Sequence, residues 1–332
     1  MLNNAEGRTE EAINSYPSRI QLGLYPTPFQ EIREMSPLTD HGRRFFVKRE
    51  DLVGVGLGGN KIRRMEYLLG EALSGGCDCL IVAGGAKSNQ TIAAASCAAR
   101  IGLPVHLVMP KSTGSVTRGL ADLLGAEVHF TGDGQTQALN RKIREVCSIL
   151  QSEGKKPYII RPGADSTLGI LGYVDAMREM AEQAADVKVH IDHVLCCGGT
   201  GVTYSGILLG TKLYSPDTKA TAISIGRRFK HAQTLAQQIL QAAEIGGYQA
   251  DVREEDVHVH FSCGQGASEP TIKGKAAMRV MASRTGIFLD PLYTGKAFAG
   301  MLQLAQQGYF QPGENIAFVH TGGMATLMDS LR

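Results

Sequence analysis

From Lys61 onward the chain alternates short, largely apolar runs with longer stretches whose apolar residues recur at helical spacing. Runs such as Leu80-Ile81-Val82-Ala83, Val105-His106-Leu107-Val108-Met109 and Val194-Leu195-Cys196-Cys197 lack the polar alternation of a strand with one wet face. They read as strands covered on both faces, the pattern of parallel sheets with helical crossovers. The spacing predicts helices over 61–73, 89–101, 119–124, 136–153, 169–184, 204–209, 234–243 and 272–284. Strands are expected over 80–83, 105–109, 127–130, 158–160, 194–197, 222–225 and 316–319. Ahead of them, Phe45-Phe46-Val47-Lys48-Arg49 reads as a short strand, and Pro26 and Pro28 keep the segment 22–29 extended. The fold class expected is α/β, with two lobes built on doubly wound parallel sheets. Residues 1–60 and 164–332 would form a large domain and 61–163 a small inserted one, with the site in the cleft between them.

Charge and composition narrow the partners. A formal net charge of +2 without a long Lys/Arg run leaves no electrostatic footprint for nucleic acid or an anionic membrane. No apolar stretch approaches the roughly 20 residues that cross a bilayer. The first residues carry neither a basic segment nor an apolar one of the secretory type. The expectation is a cytoplasmic protein acting on a small molecule, assembled as a homodimer. The seven cysteines include Cys77 and Cys79 one residue apart and the adjacent pair Cys196-Cys197, so no Cys-x-x-Cys zinc spacing occurs and no metal centre is expected. Reduced, mostly buried thiols are the reading.

Three glycine-rich turns follow or precede predicted elements. Gly54-Val55-Gly56-Leu57-Gly58-Gly59-Asn60-Lys61 opens directly into a helix. A cation in the first helical turn opposes the macrodipole, so Lys61 is an odd structural choice. A solvated lysine after a flexible loop is the alternative; desolvated, it becomes an amine nucleophile and base. Gly84-Gly85-Ala86-Lys87-Ser88-Asn89-Gln90 starts the next helix, whose first-turn amides suit a carboxylate, although Ser88 or Asn89 serves equally well as an N-cap. In Gly198-Gly199-Thr200-Gly201-Val202-Thr203, backbone amides with the hydroxyls of Thr200 and Thr203 suit a dianionic phosphate, while the pattern matches neither a Walker A loop nor a dinucleotide fingerprint. Two further segments, Asp290-Pro291-Leu292-Tyr293-Thr294-Gly295-Lys296 and His320-Thr321-Gly322-Gly323, place hydroxyls and an imidazole beside small residues after apolar runs. Taken singly, Tyr293 and His320 read equally as a core aromatic and a strand-end histidine.

Together and in this order, these segments resemble the 1-aminocyclopropane-1-carboxylate deaminase and D-cysteine desulfhydrase family, within the tryptophan-synthase-beta-like, fold type II enzymes that use pyridoxal 5'-phosphate. The resemblance runs from about Leu22 to Leu327, and its most specific pieces are Gly58-Gly59-Asn60-Lys61-Ile62-Arg63-Arg64, Ser88-Asn89-Gln90 and 290–296. It implies that Lys61 holds the cofactor as a Schiff base and that Asn89 binds its phenolic oxygen. Ser88, with Asn89 and Gln90, would receive the substrate. Gly199, Thr200, Gly201, Val202 and Thr203 would hold the phosphate, with Arg64 supplying the charge that a lysine supplies in the family. Tyr293 would serve as acid/base or substrate contact, Thr294 would face the pyridine nitrogen, and His320 would lie by the substrate.

The departures bear on the reaction. Ring deaminases similar to this chain carry a glutamate at the Thr294 position and a second active-site tyrosine in the region 264–268, which here reads Gly-Gln-Gly-Ala-Ser. A carboxylate keeps the pyridine nitrogen protonated and the ring strongly electron-withdrawing, whereas a threonine hydroxyl does not. The desulfhydrases typically have histidine at Gln90 and an Arg-Gln pair at Ile92-Ala93. The expectation is β-elimination of a good leaving group from a small amino acid, with Lys61 taking the α-proton, to give a 2-keto acid and ammonia. The alternatives are the ring deaminase, a β-replacement synthase of the same fold, and a binding protein that keeps the cofactor without turnover.

Overall fold

The computed structural model describes residues 17–162, 166–226, 229–261 and 269–331. In chain order the elements begin β1 (Phe29–Ile32), β2 (Arg44–Lys48), α1 (Lys61–Ser74), β3 (Cys79–Ala83), α2 (Asn89–Arg100), β4 (Val105–Pro110), α3 (Ser115–Leu123) and β5 (Glu127–Thr131). They continue with α4 (Thr136–Ser152), β6 (Pro157–Ile160), α5 (Leu171–Asp186), β7 (His193–Gly198), α6 (Val202–Tyr214) and β8 (Lys219–Ser224). The last are α7 (Ala232–Ile245), β9 (His258–Phe261), α8 (Ile272–Thr285), α9 (Thr294–Gln306), β10 (Asn315–Val319) and α10 (Met324–Ser330).

These strands form two sheets, ordered β1-β2-β10-β7-β8-β9 and β5-β4-β3-β6. Every pairing is parallel except β1 with β2. The all-apolar runs fall where a parallel sheet needs them: each residue of β3 and of β7 is buried. On β3, Leu80 and Val82 join the main core with α1 and α2, while Cys79, Ile81 and Ala83 pack on Leu139, Ile143, Val146 and Leu150 of α4. The boundary expected between residues 163 and 164 lies outside the described residues, as does the segment 264–268.

Helices α5 and α6 approach closely because α6 has glycine at the contact. A Cβ on Gly206 would stand 2.4 Å from the Tyr173 Cβ, and one on Gly210 2.4 Å from the Met177 Cβ. Behind α1 lies a buried ionic network. Arg63 donates to both Glu50 oxygens (2.7 and 2.9 Å) and to Glu179 (3.0 Å), which also pairs with Lys48. Thr27 and Tyr173 donate their hydroxyls to Glu50 at 2.7 and 3.3 Å. A buried pair of this kind is tolerated only when nearly every lone pair is used, as here.

The structure adds β1, β9, α9 and α10 to the elements read from sequence, starts α3 at Ser115 and extends α6 to Val202–Tyr214. The four-residue β1 and β9 at the sheet edges are too short for a period-2 pattern to emerge. Helix α6 is buried at ten positions, so its apolar residues run all round and obscure its ends. Among the described residues no helix is long and apolar enough to cross a membrane. The six described cysteines are free thiols, as expected.

Candidate active site

The loop ahead of α1 is held in place before it delivers Lys61. Gly58 takes φ +69, and a Cβ there would lie 2.0 Å from the Asp51 carbonyl oxygen, so the turn admits only glycine. Gly59 N donates to Glu50 O (2.9 Å) and Asn60 N to Thr321 O (3.0 Å), tying the loop to the ionic network on one side and to the turn after β10 on the other. The Asn60 side chain donates to Thr203 Oγ1 at 2.8 Å, and the Lys61 amine donates to Asn60 Oδ1 at 3.1 Å. Lys61 is thereby aimed into a cavity of about 550 Å³ bordered by both sheets' loops. Burial, with Arg64 nearby, lowers its amine to about 7. Cys197 shares the cavity wall, but burial pushes its thiol upward, so at neutral pH it carries no charge to offset the lowering.

The loop between β7 and α6 faces Lys61. Gly201 caps α6 in a left-handed conformation (φ +93). Gly199, Thr200, Gly201 and Thr203 line the cavity, as do Arg64, Ser88, Asn89, Gln90 and Tyr293. A Cβ on Gly199 would meet nothing within 4 Å, so the space beside this loop is cavity rather than packed protein. An anion with several oxygens fits there, against the first turn of α6 and the two threonines.

Across the cavity, Ser88 is the N-cap of α2, its Oγ accepting from Gln90 N at 3.3 Å. Asn89 Oδ1 accepts from Thr326 at 2.9 Å, which fixes the carboxamide and leaves its amino group as the other polar end. Gln90 Nε2 donates to Ala83 O and Arg161 O, at 3.2 and 2.9 Å. Its Oε1 is buried with no partner among the described residues, an acceptor waiting for a donor. Tyr293 donates its hydroxyl to Lys87 O at 3.2 Å, bridging the turn ahead of α9 and the turn after β3. Burial raises that hydroxyl well above its ordinary value, so it stays protonated.

The side chains of Thr294, His320 and Val202, all expected at the site, do not line the cavity. Thr294 is fully buried and does not line the cavity. Its hydroxyl donates to Asp290 Oδ1 at 2.8 Å and accepts from Asp290 N at 2.9 Å, so it closes the turn that starts α9. His320 is also fully buried, with Nε2 on Phe288 O (2.8 Å) and Nδ1 accepting from Gly322 N (3.2 Å). Burial lowers the imidazole below its usual value, and the neutral ring shapes the turn that carries Thr321. The Val202 side chain belongs to the core, while its backbone, the part expected to meet the phosphate, opens α6.

Asn60, Thr321 and Cys197 line the cavity without having been singled out by their residue type. Thr321 has a signal in the sequence: a hydroxyl beside paired glycines after a buried strand, the same pattern as 198–203. Glu269 is the one acidic residue among the described lining residues.

Two α/β sheets, a lowered amine at their junction and a glycine-lined anion cradle in the same cavity are the features of an enzyme that binds a phosphate-bearing cofactor. The model of the family described as "Pyridoxal-phosphate dependent enzyme" matches residues 20–322, and the chain belongs to that family. A protein of Pyrococcus horikoshii provisionally named 1-aminocyclopropane-1-carboxylate deaminase is 37% identical over 312 residues, 92% of each chain. The D-cysteine desulfhydrase of Salmonella choleraesuis is 32% identical over 320 residues, 93% of this chain and 95% of that one. Among solved structures, one described as an ACC deaminase homologue superposes with a TM-score of 0.84 at 34% identity, over 95% of this chain and 94% of the other. The chain is therefore a pyridoxal-phosphate dependent enzyme with the fold expected from its sequence.

Proposed function

We propose that this enzyme eliminates a good leaving group from a β-substituted alanine, releasing a 2-keto acid and ammonia. When bound, pyridoxal phosphate supplies the conjugated ring that accepts negative charge from the substrate α-carbon. The residues of this chain supply the rest. Lys61 anchors the cofactor and, once its amine is released by the incoming substrate, accepts the α-proton, a role for which an amine near 7 is suited. Thr200, Thr203, Arg64 and the first turn of α6 hold the phosphate, while Asn89 and the Ser88-capped turn hold the phenolic oxygen and the substrate carboxylate. Such multipoint fixing aligns the breaking bond and excludes water. Protonated Tyr293 stands at the cavity as a proton donor to the departing group.

The observation that carries elimination is position 294. Where the resembling ring deaminases carry a glutamate, this chain has a threonine whose hydroxyl is spent on Asp290. Opening an unactivated carbon ring needs a stronger electron sink than expelling thiolate, because each 1.4 kcal/mol or so lost at the transition state costs about tenfold in rate. Initial rates on D-cysteine, β-chloroalanine and 1-aminocyclopropane-1-carboxylate at equal concentration test the reading. Pyruvate should form from one of the first two faster than 2-oxobutyrate forms from the third, and the reverse order overturns it. Ring-opening deamination is the second reading, favoured by Gln90, which the ring deaminases share. A homodimer in the cytoplasm goes with the first reading, and light scattering on the purified enzyme checks the assembly.

A further inference from the structure

Among the described residues, one cluster of metal-ligating side chains lies outside the cofactor cavity: His106, Glu127 and His129. His106 on β4 stands opposite Glu127 on β5, and His129 follows two residues later. The alternation of a strand puts all three on one face, the face covered by α4. They sit toward the N-terminal ends of parallel strands, whereas the turns that line the cavity leave the C-terminal ends.

Their polar atoms converge. His106 Nδ1 is 3.2 Å from His129 Nε2 and 3.4 Å from Glu127 Oε2, and His129 Nε2 is 3.3 Å from Glu127 Oε1. Ligands about 2.0–2.1 Å from a tetrahedral zinc ion are roughly 3.3–3.4 Å apart. The nitrogen–nitrogen contact is close to one edge of such a tetrahedron, and Glu127 presents Oε2 to one ring and Oε1 to the other, so either oxygen supplies a third ligand beside the pair. Internal hydrogen bonding does not satisfy the cluster equally well. With one proton on these two nitrogens the other nitrogen sets its lone pair against the carboxylate, and with a proton on each the 3.2 Å nitrogen–nitrogen contact sets donor against donor. A divalent cation satisfies all three at once.

We infer that His106, Glu127 and His129 form a binding site for one divalent transition-metal ion of the zinc type, separate from the cofactor site. Two imidazoles and a carboxylate make a donor set suited to zinc and poor for calcium or magnesium, which take mainly oxygen. The Glu127 side chain is 65% exposed and those of His106 and His129 are 12% and 22% exposed, so an ion enters from solvent and keeps water in its fourth position. Lys142 on α4 stands nearby but is paired with Glu145 at 2.7 Å, so the two add no net charge. The ion would tie β5, an edge strand whose one sheet neighbour is β4, to the rest of its sheet. Cysteine spacing is blind to such a site, because its ligands come from two strands and none is a thiolate.

The test is calorimetric titration of the holoenzyme with zinc ion, for the wild type, His129→Gln and Glu127→Ala. Glu127 is exposed, so its alanine variant should fold, and unchanged cofactor absorbance verifies this for both variants. One equivalent per chain should bind the wild type and weaken by more than about 100-fold in each variant, since even outer residues of metal sites cost 10–100-fold. Failure of the wild type to bind zinc overturns the inference. Unchanged affinity in either variant, which would place the ion on other ligands, overturns it as well.

Discussion

At the scale of single residues, the site depends on how Lys61 is surrounded. Its amine is lowered to about 7 by burial and by Arg64. Covalent loading of the apoprotein with cofactor, followed by absorbance, should therefore hold its rate above that pH and fall about tenfold per unit below it, because only the neutral amine attacks. Lys61→Ala should lose the borohydride-reducible adduct and at least about 10²–10⁴-fold in kcat. A reduced cofactor found on Lys87 or Lys296 instead would displace the assignment. Thr203→Ala combined with Arg64→Ala should weaken cofactor retention by about 2 kcal/mol or more, roughly 30-fold, since hydrogen bonds to charged groups contribute about 1.5–3 kcal/mol each. Equilibrium dialysis of the cofactor measures it. That Lys61, Ser88, Asn89, Gln90, Gly199, Thr200, Gly201 and Thr203 line one cavity was legible in the sequence as a grouping, because glycine-rich turns between elements leave room for close approach to a ligand. Thr294 and His320 do not line the cavity, because a motif gives neighbours in sequence, not the direction a side chain takes. One residue further along, Thr321 faces the cavity that His320 was expected to reach.

Among elements, the α5–α6 contact and the start of α9 have the least room for change. Gly210→Leu would drive a side chain into Met177, and overpacking of this order costs about 1–3 kcal/mol or more. Denaturant unfolding should show a lower midpoint, with the cofactor site failing alongside, because α6 begins at the phosphate loop. The start of α9 relies on Asp290, which accepts from the backbone of Leu292, Tyr293 and Thr294 and from the Thr294 hydroxyl. Sequence periodicity exposed the long amphipathic helices and the doubly buried strands. It did not expose α9, whose residues 294–297 read Thr-Gly-Lys-Ala and offer no apolar stripe at the start. Nor did it separate edge strands β1 and β9 from loop, since pairing across a sheet rather than composition makes a four-residue strand.

For the whole molecule, the ionic network behind α1 links segments far apart in sequence, joining Thr27, Lys48, Glu50, Arg63 and Glu179. Burial raises the Glu50 carboxyl, but Arg63, Lys48 and the Thr27 hydroxyl outweigh it and hold it below the ordinary value of 4.5. A group depressed on folding binds more protons when unfolded, so its contribution is complete above that ordinary value and is lost as pH falls through the folded one. Wild-type melting temperature should drop in that acid range, and Glu50→Gln should be flatter there while losing about 3 kcal/mol at neutral pH. None of this network was legible in the sequence, because its ion-paired partners lie between 13 and 131 positions apart and leave no local pattern. Strand order has a consequence of its own. β10 lies between β2 and β7, so the larger sheet is two unconnected halves until residues 315–319 arrive, and Asn60 finds the Thr321 carbonyl only then. During synthesis the Lys61 loop waits on the order of tens of seconds behind the ribosome for the strand that completes it. Acquisition of the cofactor should thus come late in synthesis, and a nascent chain halted at residue 312 should remain colourless while the chain released after residue 332 turns yellow.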